Sequence, residues 1–350
     1  MAEKKIVVHG RYIENDACRF HRLLLPFRFL QPRHPEFELA CNCDPNPVGA
    51  DAYLFHGAPD YVTVARIGRW KRNGAIVVWS MDDDFWSLPD WNGNKVDDIG
   101  LDHLAAVGDL ADLILVSTPA LGLAFAARGY GGKVCVAPNL MDLTLYPGDA
   151  VPEPEPGRPV RVMWAGSVTH ARDLAVMAEG LYCALDALKP GLMEVCFLGA
   201  APPHPILRDW LMRGVVWQQA VPFTGYWDAL AAYSPHVWLA PMEDCPFNHS
   251  KSALRIGEGF ALRAAVVASP VGEYKAAGDA ASVLYSTTPA EWMDNVLRMV
   301  IPDTPARRHA VAAAGRERVE RTMSWQNDAC HAPWDEFLAR VAGAVRAKRG

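Results

Sequence analysis

The feature that most limits how this chain can fold is a recurrence of short apolar runs separated by helix-length segments. IVVH at 6–9, FELAC at 37–41, AYLF at 52–55, AIVVW at 75–79, LILV at 113–116 and KVCVA at 133–137 form one series. Near-continuous apolar runs bounded by turns read as strands buried on both faces, the pattern of a parallel sheet covered by helices. The segment at 146–159, YPGDAVPEPEPGRP, interrupts the series with five prolines and few apolar residues, and so reads as an extended linker. The rhythm then restarts with VRVMWAG at 160–166, EVCFLG at 194–199, HVWLAP at 236–241, AAVVAS at 264–269 and SVLY at 282–285. Residues 304–346 carry Ala, Arg, Glu and Val at helical spacing, broken near 322–325, which predicts two closing helices.

The expected fold class is therefore α/β, with two Rossmann-like domains facing one another across a cleft. Residues 1–148 form the first, 149–159 the linker, 160–303 the second and 304–350 the closing helices. A length of 350 residues agrees, being more than one core usually serves. Ligands of such domains bind where strands give way to loops and helix N-termini.

Composition narrows the function classes. No run approaches eighteen apolar residues and the N-terminus has no signal-peptide pattern, so neither a membrane span nor export is expected. The eight cysteines, Cys18, Cys41, Cys43, Cys135, Cys183, Cys196, Cys245 and Cys330, lack paired CxxC spacing and read as reduced, mostly buried thiols of a cytoplasmic protein. A net charge of −6 argues against a generic polyanion binder. Locally, residues 1–75 carry 11 Lys+Arg against 8 Asp+Glu, which leaves room for a basic face.

Three loops after strands carry candidate chemistry. Gly166-Ser167-Val168-Thr169-His170 follows VRVMWAG and leads past Arg172 into a helix; such a turn exposes N–H groups to a phosphate, or is a plain helix cap. Asn248-His249-Ser250-Lys251-Ser252 follows HVWLAP and precedes the helix ALRIGEGFAL. A lysine at a helix N-terminus is unfavourable unless an anion neutralises it, so Lys251 reads as a phosphate ligand or else as a solvent-facing cation. Glu258, two turns later, can accept both hydroxyls of a ribose. Asp82-Asp83-Asp84 follows AIVVWS; adjacent carboxylates repel, so they read as a ligand or metal site or as a solvated acidic turn. His9-Gly10-Arg11 follows the first strand, His103 lies on an amphipathic helix, and Trp86, Trp91, Trp164 and Trp227 could stack on a ring.

The run PMEDCPFNHSKSALRIGEGFALRAAVVASPVGEY resembles the nucleotide-sugar signature of GT-B glycosyltransferases of the family 4 type. WAGSVTHARDL, ADLILVST and VCVAPNLMD are similar to that superfamily in the same order. The resemblance implies a nucleotide-sugar donor held by Gly166, Ser167, His170, Arg172, Asn248, Ser250, Lys251, Ser252 and Glu258, with Glu258 matching the second glutamate of E-x7-E and Ser250 standing at the first. It implies that Asp82, Asp83, Asp84 and Lys251 serve catalysis, with one aspartate orienting or deprotonating the acceptor hydroxyl, and that His9, Gly10, Arg11 and His103 lie on the acceptor side. No cofactor is expected, and no metal, since GT-B enzymes typically replace it with helix dipoles and basic side chains. The acidic run read as a DxD motif would instead place a divalent ion on the donor diphosphate. The first domain resembles phage-borne relatives, and Arg11, Arg19, Arg22, Arg28, Arg33, Arg66, Arg69, Lys71 and Arg72 suit a hydroxymethylated DNA acceptor. A glycan or small-molecule acceptor, and a non-catalytic nucleotide-sugar-binding module, are the alternatives.

Overall fold

The computed structural model describes residues 5–11, 13, 16–42, 49–93, 95–149, 151, 153–155, 157–199, 215–301 and 305–350; Cys43 and linker positions 150, 152 and 156 lie outside them. The chain divides into two compact units, one of Met1–Leu140, Ser250–Ser252 and Asn327–Gly350, the other of Met141–His249 and Ala253–Gln326.

In the first unit β1 (Ile6–Arg11), β2 (Phe37–Asn42), β3 (Ala52–His56), β4 (Ile76–Met81), β5 (Leu113–Val116) and β6 (Val134–Val136) form a parallel sheet in the order β2-β1-β3-β4-β5-β6. Val77, Trp79, Ile114 and Val116 bury one face against Ile67 and Trp70, Leu104 and Val107, and Leu121 and Phe125. These belong to the helices Tyr61–Arg72, Asp98–Leu110 and Pro119–Ala127, whose first turns are capped by Asp60, Asp97 and Thr118 accepting from the N–H of Thr63, Gly100 and Leu121. The helix Ala332–Arg349 buries Trp334, Phe337, Leu338, Val341 and Val345. Trp334 Nε1 donates to the Pro138 carbonyl at 3.0 Å and Lys348 Nζ to the Ala75 carbonyl at 2.9 Å, fastening that helix to the unit.

In the second unit β7 (Val160–Gly166), β8 (Met193–Gly199), β9 (Val216–Gln218), β10 (Val237–Ala240), β11 (Ala265–Ala268) and β12 (Val283–Tyr285) form a parallel sheet in the order β12-β11-β10-β7-β8-β9. Both faces are covered. Trp164, Phe197, Val237 and Val267 pack with Met177, Leu181 and Trp292 on one side, and Met163, Trp238 and Val266 with Ile256 and Phe260 on the other. The helix Pro305–Thr322 belongs to this unit.

The α/β class with two Rossmann-like units is as expected, and eleven of the twelve strands coincide with the apolar runs. The exception, β9, is a three-residue strand at the sheet edge with Val216 exposed, too short to leave a pattern. Among its described residues the segment 146–159 holds no helix or strand, but Tyr146 and Val151 are buried and Glu153 pairs with Arg308. The expectation of little burial there is corrected: a few apolar side chains in a proline-rich stretch suffice to anchor it. Of the seven described cysteines only Cys135 and Cys196 are buried, which corrects the expectation of mostly buried thiols. No helix among the described residues is long and apolar enough to cross a membrane.

Each sheet has a point where the strand order reverses. The chain leaves β1 for β2 on one side and for β3 on the other; it leaves β7 for β8 on one side and for β10 on the other. Open α/β sheets bind ligands at the carboxyl ends of the strands beside that point.

Candidate functional site

At the reversal point of the second sheet β7 ends in Gly166, in register with Gly199 at the end of β8. A Cβ at Gly166 would meet the Trp164 ring at 2.5 Å and Arg255 Nη1 at 2.9 Å; at Gly199, where φ is +136°, it would lie 1.8 Å from the Gly166 carbonyl oxygen. Only glycine fits either place. Beyond Gly166 the exposed Ser167 shares a 2.6 Å hydrogen bond with Thr169, and a 3-10 turn, Val168–His170, leads into the helix Ala171–Ala187.

His170 holds this turn in place. Arg255 Nη2 lies 3.1 Å from His170 Nε2, and a guanidinium can only donate, so Nε2 accepts and the ring proton sits on Nδ1. Nδ1 then donates to Asp173 Oδ2 at 2.7 Å. The buried Asp173 also accepts from the Glu243 N–H at 2.8 Å and from Asn248 Nδ2 at 3.0 Å. Asn248 donates as well to the Glu243 carbonyl at 2.9 Å, so both its N–H groups are spent on the loop after β10. His170 and Asn248 thus orient the turn and the loop rather than presenting free donors.

Glu258 and Arg255 stand three residues apart on the helix Leu254–Ala261, one turn along the same face. Tyr226 donates its hydroxyl to Glu258 Oε1 at 3.0 Å. Burial raises the Glu258 pKa above the ordinary 4.5; Arg255 and the Tyr226 hydrogen bond pull it back without cancelling the rise. For Arg255 burial works against the charge, but Tyr274, Glu258, Tyr226 and Asp173 outweigh it and hold the pKa above its usual value. The Arg255 guanidinium lies 5.5 Å from the Trp164 ring centroid, and its buried Nη1 meets no hydrogen-bond acceptor among the described residues. Arg255 is half-buried, and its one buried idle donor lies beside a glycine turn, a combination that suits an anion. The sequence reading missed Arg255. Its signal was the one used for Lys251, a cation in the first turn of a helix, where the dipole disfavours it unless an anion answers. Arg172, chosen instead, is exposed and its charge already faces Glu243, with Nε 3.2 Å and Nη2 3.1 Å from Oε1.

At the carboxyl end of β4, on the far side of β3 from the reversal point of the first sheet, the three aspartates part company. Asp82 faces His56 Nε2 at 3.4 Å. Burial would raise its pKa, but His56, a hydrogen bond from Cys18 and the charge of Arg22 hold it well below the carboxylate range. Asp83 accepts from Lys251 Nζ at 3.0 Å, while burial, reinforced by the neighbouring Asp82, raises its pKa against the pull of Lys251. The buried Asp84 accepts from Ser87 Oγ at 2.7 Å and from the Trp86 N–H at 3.2 Å, with Arg128 Nη2 at 3.8 Å. Asp84 is the N-cap of the 3-10 turn Phe85–Ser87: Oδ1 accepts from the backbone and Oδ2 from the Ser87 hydroxyl, so both oxygens hold that turn.

Lys251 precedes the helix Leu254–Ala261 by three residues, and the anion that answers it is Asp83 of the same unit. The electrostatic reason for placing a phosphate on Lys251 is met by that carboxylate. Ser250 accepts through its carbonyl from Thr118 Oγ1 at 2.8 Å and Ser252 through Oγ from Asn139 Nδ2 at 3.1 Å, which pins the segment on either side of the lysine.

Around β1, His9 is buried and a Cβ on Gly10 would lie 3.2 Å from the Phe27 ring, so the glycine serves the packing of the helix Leu25–Leu30 against the strand. Arg11 lies near enough to Arg66 to help burial lower its pKa, with Arg69 adding to the effect. His103 packs against Tyr61 with ring centroids 6.5 Å apart. Trp164 is core, Trp86 and Trp227 are half-buried among aromatics, and Trp91 is exposed.

The proposed basic face shrinks in the structure. Arg22 is completely buried and donates to the Ala137 carbonyl at 2.6 Å and Asn139 Oδ1 at 3.0 Å; Arg19 pairs with Asp16, Arg33 with Asp328 and Lys71 with Asp112. Only the inclusion of Arg22 is corrected, because a side chain sealed inside the fold reaches no phosphate; Arg19, Arg33 and Lys71 each share their charge with a carboxylate. Arg66, Arg69 and Arg72, on one face of the helix Tyr61–Arg72, remain with Arg11 and the exposed Arg28.

No protein-family model and no curated protein sequence matches this chain. Solved structures share its fold. HepE from Anabaena, in complex with UDP and glucose, aligns over 97% of this chain and 100% of its own, with a TM-score of 0.66 at 10% identity. A glycosyltransferase from Rickettsia africae aligns over 98% and 99%, with a TM-score of 0.63 at 10% identity. TarM of S. aureus aligns over 83% of this chain with a TM-score of 0.61 at 10% identity, and this chain spans 54% of TarM's length. At such identities the likeness is one of fold.

Proposed function

We propose that this chain is a glycosyltransferase that takes a sugar from a nucleoside diphosphate sugar bound at the reversal point of the second sheet. The observation that carries this reading is the pairing of Glu258 with Arg255 beside the Gly166 turn. A carboxylate that can accept both ribose hydroxyls stands one helical turn from a half-buried guanidinium whose buried Nη1 is an idle donor. That pair fits the two polar ends of a nucleoside diphosphate, and Ser167 and the N–H groups of its turn add neutral donors. HepE, whose fold is similar, is a protein solved with UDP and with UDP-glucose, which supports these as first probes.

In this reading Arg255 and Ser167 stabilise charge developing on the leaving diphosphate, and no magnesium or manganese is needed there. Asp83 is the carboxylate that orients or deprotonates the acceptor hydroxyl, since Asp82 is engaged by His56 and Asp84 by its cap; Lys251 positions Asp83. The helix face of Arg66, Arg69 and Arg72, with Arg11 nearby, suits a polyanionic acceptor such as duplex DNA with hydroxymethylated bases. Free cysteines throughout the described residues suit a reducing compartment such as the cytoplasm.

The test is a thermal-denaturation screen over nucleoside diphosphates and their sugars, followed by transfer assays with hydroxymethylated duplex, glycan and small-molecule hydroxyl acceptors. A ligand at a hundred times its dissociation constant stabilises the folded state by about 2.7 kcal/mol. A screen in which no nucleoside diphosphate or its sugar raises the transition would defeat the reading; binding without hydrolysis or transfer would reduce the chain to a binding module.

A further inference from the structure

Beside the acceptor-side aspartates, three side chains of different chemistry meet at the carboxyl edge of the first sheet. Cys18 lies on the short helix Ala17–Arg19, His56 ends β3 and Asp82 follows β4. Their ligand atoms, a thiol sulfur, an imidazole nitrogen and a carboxylate oxygen, all lie within 4.8 Å of one another. This is the group of three such atoms found among the described residues.

We propose that Cys18, His56 and Asp82 form a binding site for zinc or a similar borderline-soft divalent metal, with three protein ligands and a fourth position left for water or an anion. Sulfur, nitrogen and one carboxylate oxygen are the donor set that zinc takes, whereas magnesium and calcium take oxygen. The spacing agrees. His56 Nε2 stands 3.4 Å from Asp82 Oδ1, long for a hydrogen bond but close to the separation of two ligands bound tetrahedrally at about 2.0–2.1 Å.

The histidine is held as metal-bound histidines are held. Nδ1 of the buried His56 is hydrogen-bonded to Ser80 Oγ at 3.1 Å, which leaves Nε2 for the site, and Arg22 Nε approaches the same Ser80 oxygen at 3.4 Å. Cys18 is an exposed residue, so the group lies at the edge of the unit rather than in its core. Arg22 faces the group, and Arg19, paired with Asp16, donates to the His56 carbonyl at 3.2 Å. Against these cations stand Asp82, Asp83 with its Lys251 partner, and the thiolate that binding would create.

The site lies in the first unit and owes nothing to the donor reading, so its test is metal content. Tag-free full-length protein is purified without chelator and its zinc measured by mass spectrometry, then the metal-free form is titrated with cobalt(II). The expected results are about one zinc per chain, a thiolate-to-cobalt absorption band on titration, and loss of both in Cys18→Ser and His56→Ala. Ser80→Ala, which removes only the support of His56, should weaken the affinity about ten- to a hundredfold while leaving the fold intact. Wild type that neither retains zinc nor shows the cobalt band would overturn the proposal, as would Cys18→Ser or His56→Ala holding zinc as tightly as wild type.

Discussion

Replacing Arg255 by methionine isolates the charge at the reversal point of the second sheet, because methionine keeps much of the side-chain length. Among the described residues the guanidinium makes one hydrogen bond, to His170 Nε2, and carries one buried nitrogen without an acceptor. If that nitrogen and its charge serve the donor diphosphate, the loss is that of a charged hydrogen bond, about 1.5–3 kcal/mol, so UDP affinity should fall roughly ten- to 150-fold. A second effect follows through Glu258. Arg255 is the charge that counters burial at Glu258, so removing it raises that carboxyl further above 4.5. Since ribose hydroxyls donate to the carboxylate, affinity is lost as pH falls through the Glu258 pKa, and in Arg255→Met that loss should begin at higher pH. Folding stability moves the other way. A carboxyl whose folded pKa exceeds its unfolded value binds its proton more readily when folded, so its contribution becomes more favourable as pH falls from the folded pKa toward 4.5. The assay is calorimetric titration of wild type and variant with UDP from about pH 5 to 8, bracketing the window from above 4.5. Equal UDP affinities at neutral pH would refute the reasoning, and superimposable pH profiles would refute the coupling to Glu258.

Other perturbations test the remaining assignments. Asp84→Ala should cost about 1 kcal/mol from the lost cap and lower Tm by a few degrees, with kcat unchanged at a temperature where the variant is folded; a lowered kcat would give Asp84 a part in the chemistry. Asp83→Asn and Lys251→Ala should each lower kcat, and in a double-mutant cycle they should couple by about 0.5–3 kcal/mol, as neighbours in one ion pair do; additive effects would separate them. Hydroxymethylated duplex should bind with a steep salt dependence between about 50 and 200 mM, and Arg66→Glu with Arg69→Glu should flatten it; absence of binding at the lower salt would remove DNA as the acceptor.

How far these features could be seen in the sequence depended on whether the relevant physics was local. Strands buried on both faces are apolar along most of their length, so β3, β4 and β7 announce themselves, and a Gly at the end of β7 predicts a turn. Partners far apart in sequence leave no such mark. That Arg22 would be sealed between Ala137 and Asn139, that Lys251 would meet Asp83, and that Cys18 would meet His56 and Asp82 all depend on contacts that only the folded sheet creates. Asp84 as a cap was legible in principle, since Ser87 follows it at capping distance, but it was masked by two acidic neighbours with different duties. Arg255 was overlooked because Lys251, in the more conspicuous loop, satisfied the same electrostatic argument first.

The order in which the first unit is completed has a consequence for the synthesis of the protein. Its six strands lie within the first 140 residues, yet the helix that buries Trp334, Phe337, Leu338, Val341 and Val345 comes after the whole second unit. Those five side chains bring apolar burial on the order of 10 kcal/mol, an upper estimate, to a sheet that until then lacks one of its helices. At roughly 5–20 residues per second, ribosomes need on the order of 10–40 s to pass from residue 140 to residue 350. During that interval the later unit can close on itself while the earlier one waits, with Arg22 not yet shielded by Trp334 and apolar surface on view. Nascent chains are thus most exposed to aggregation in their oldest part, and the helix Ala332–Arg349 is the one that ends the exposure.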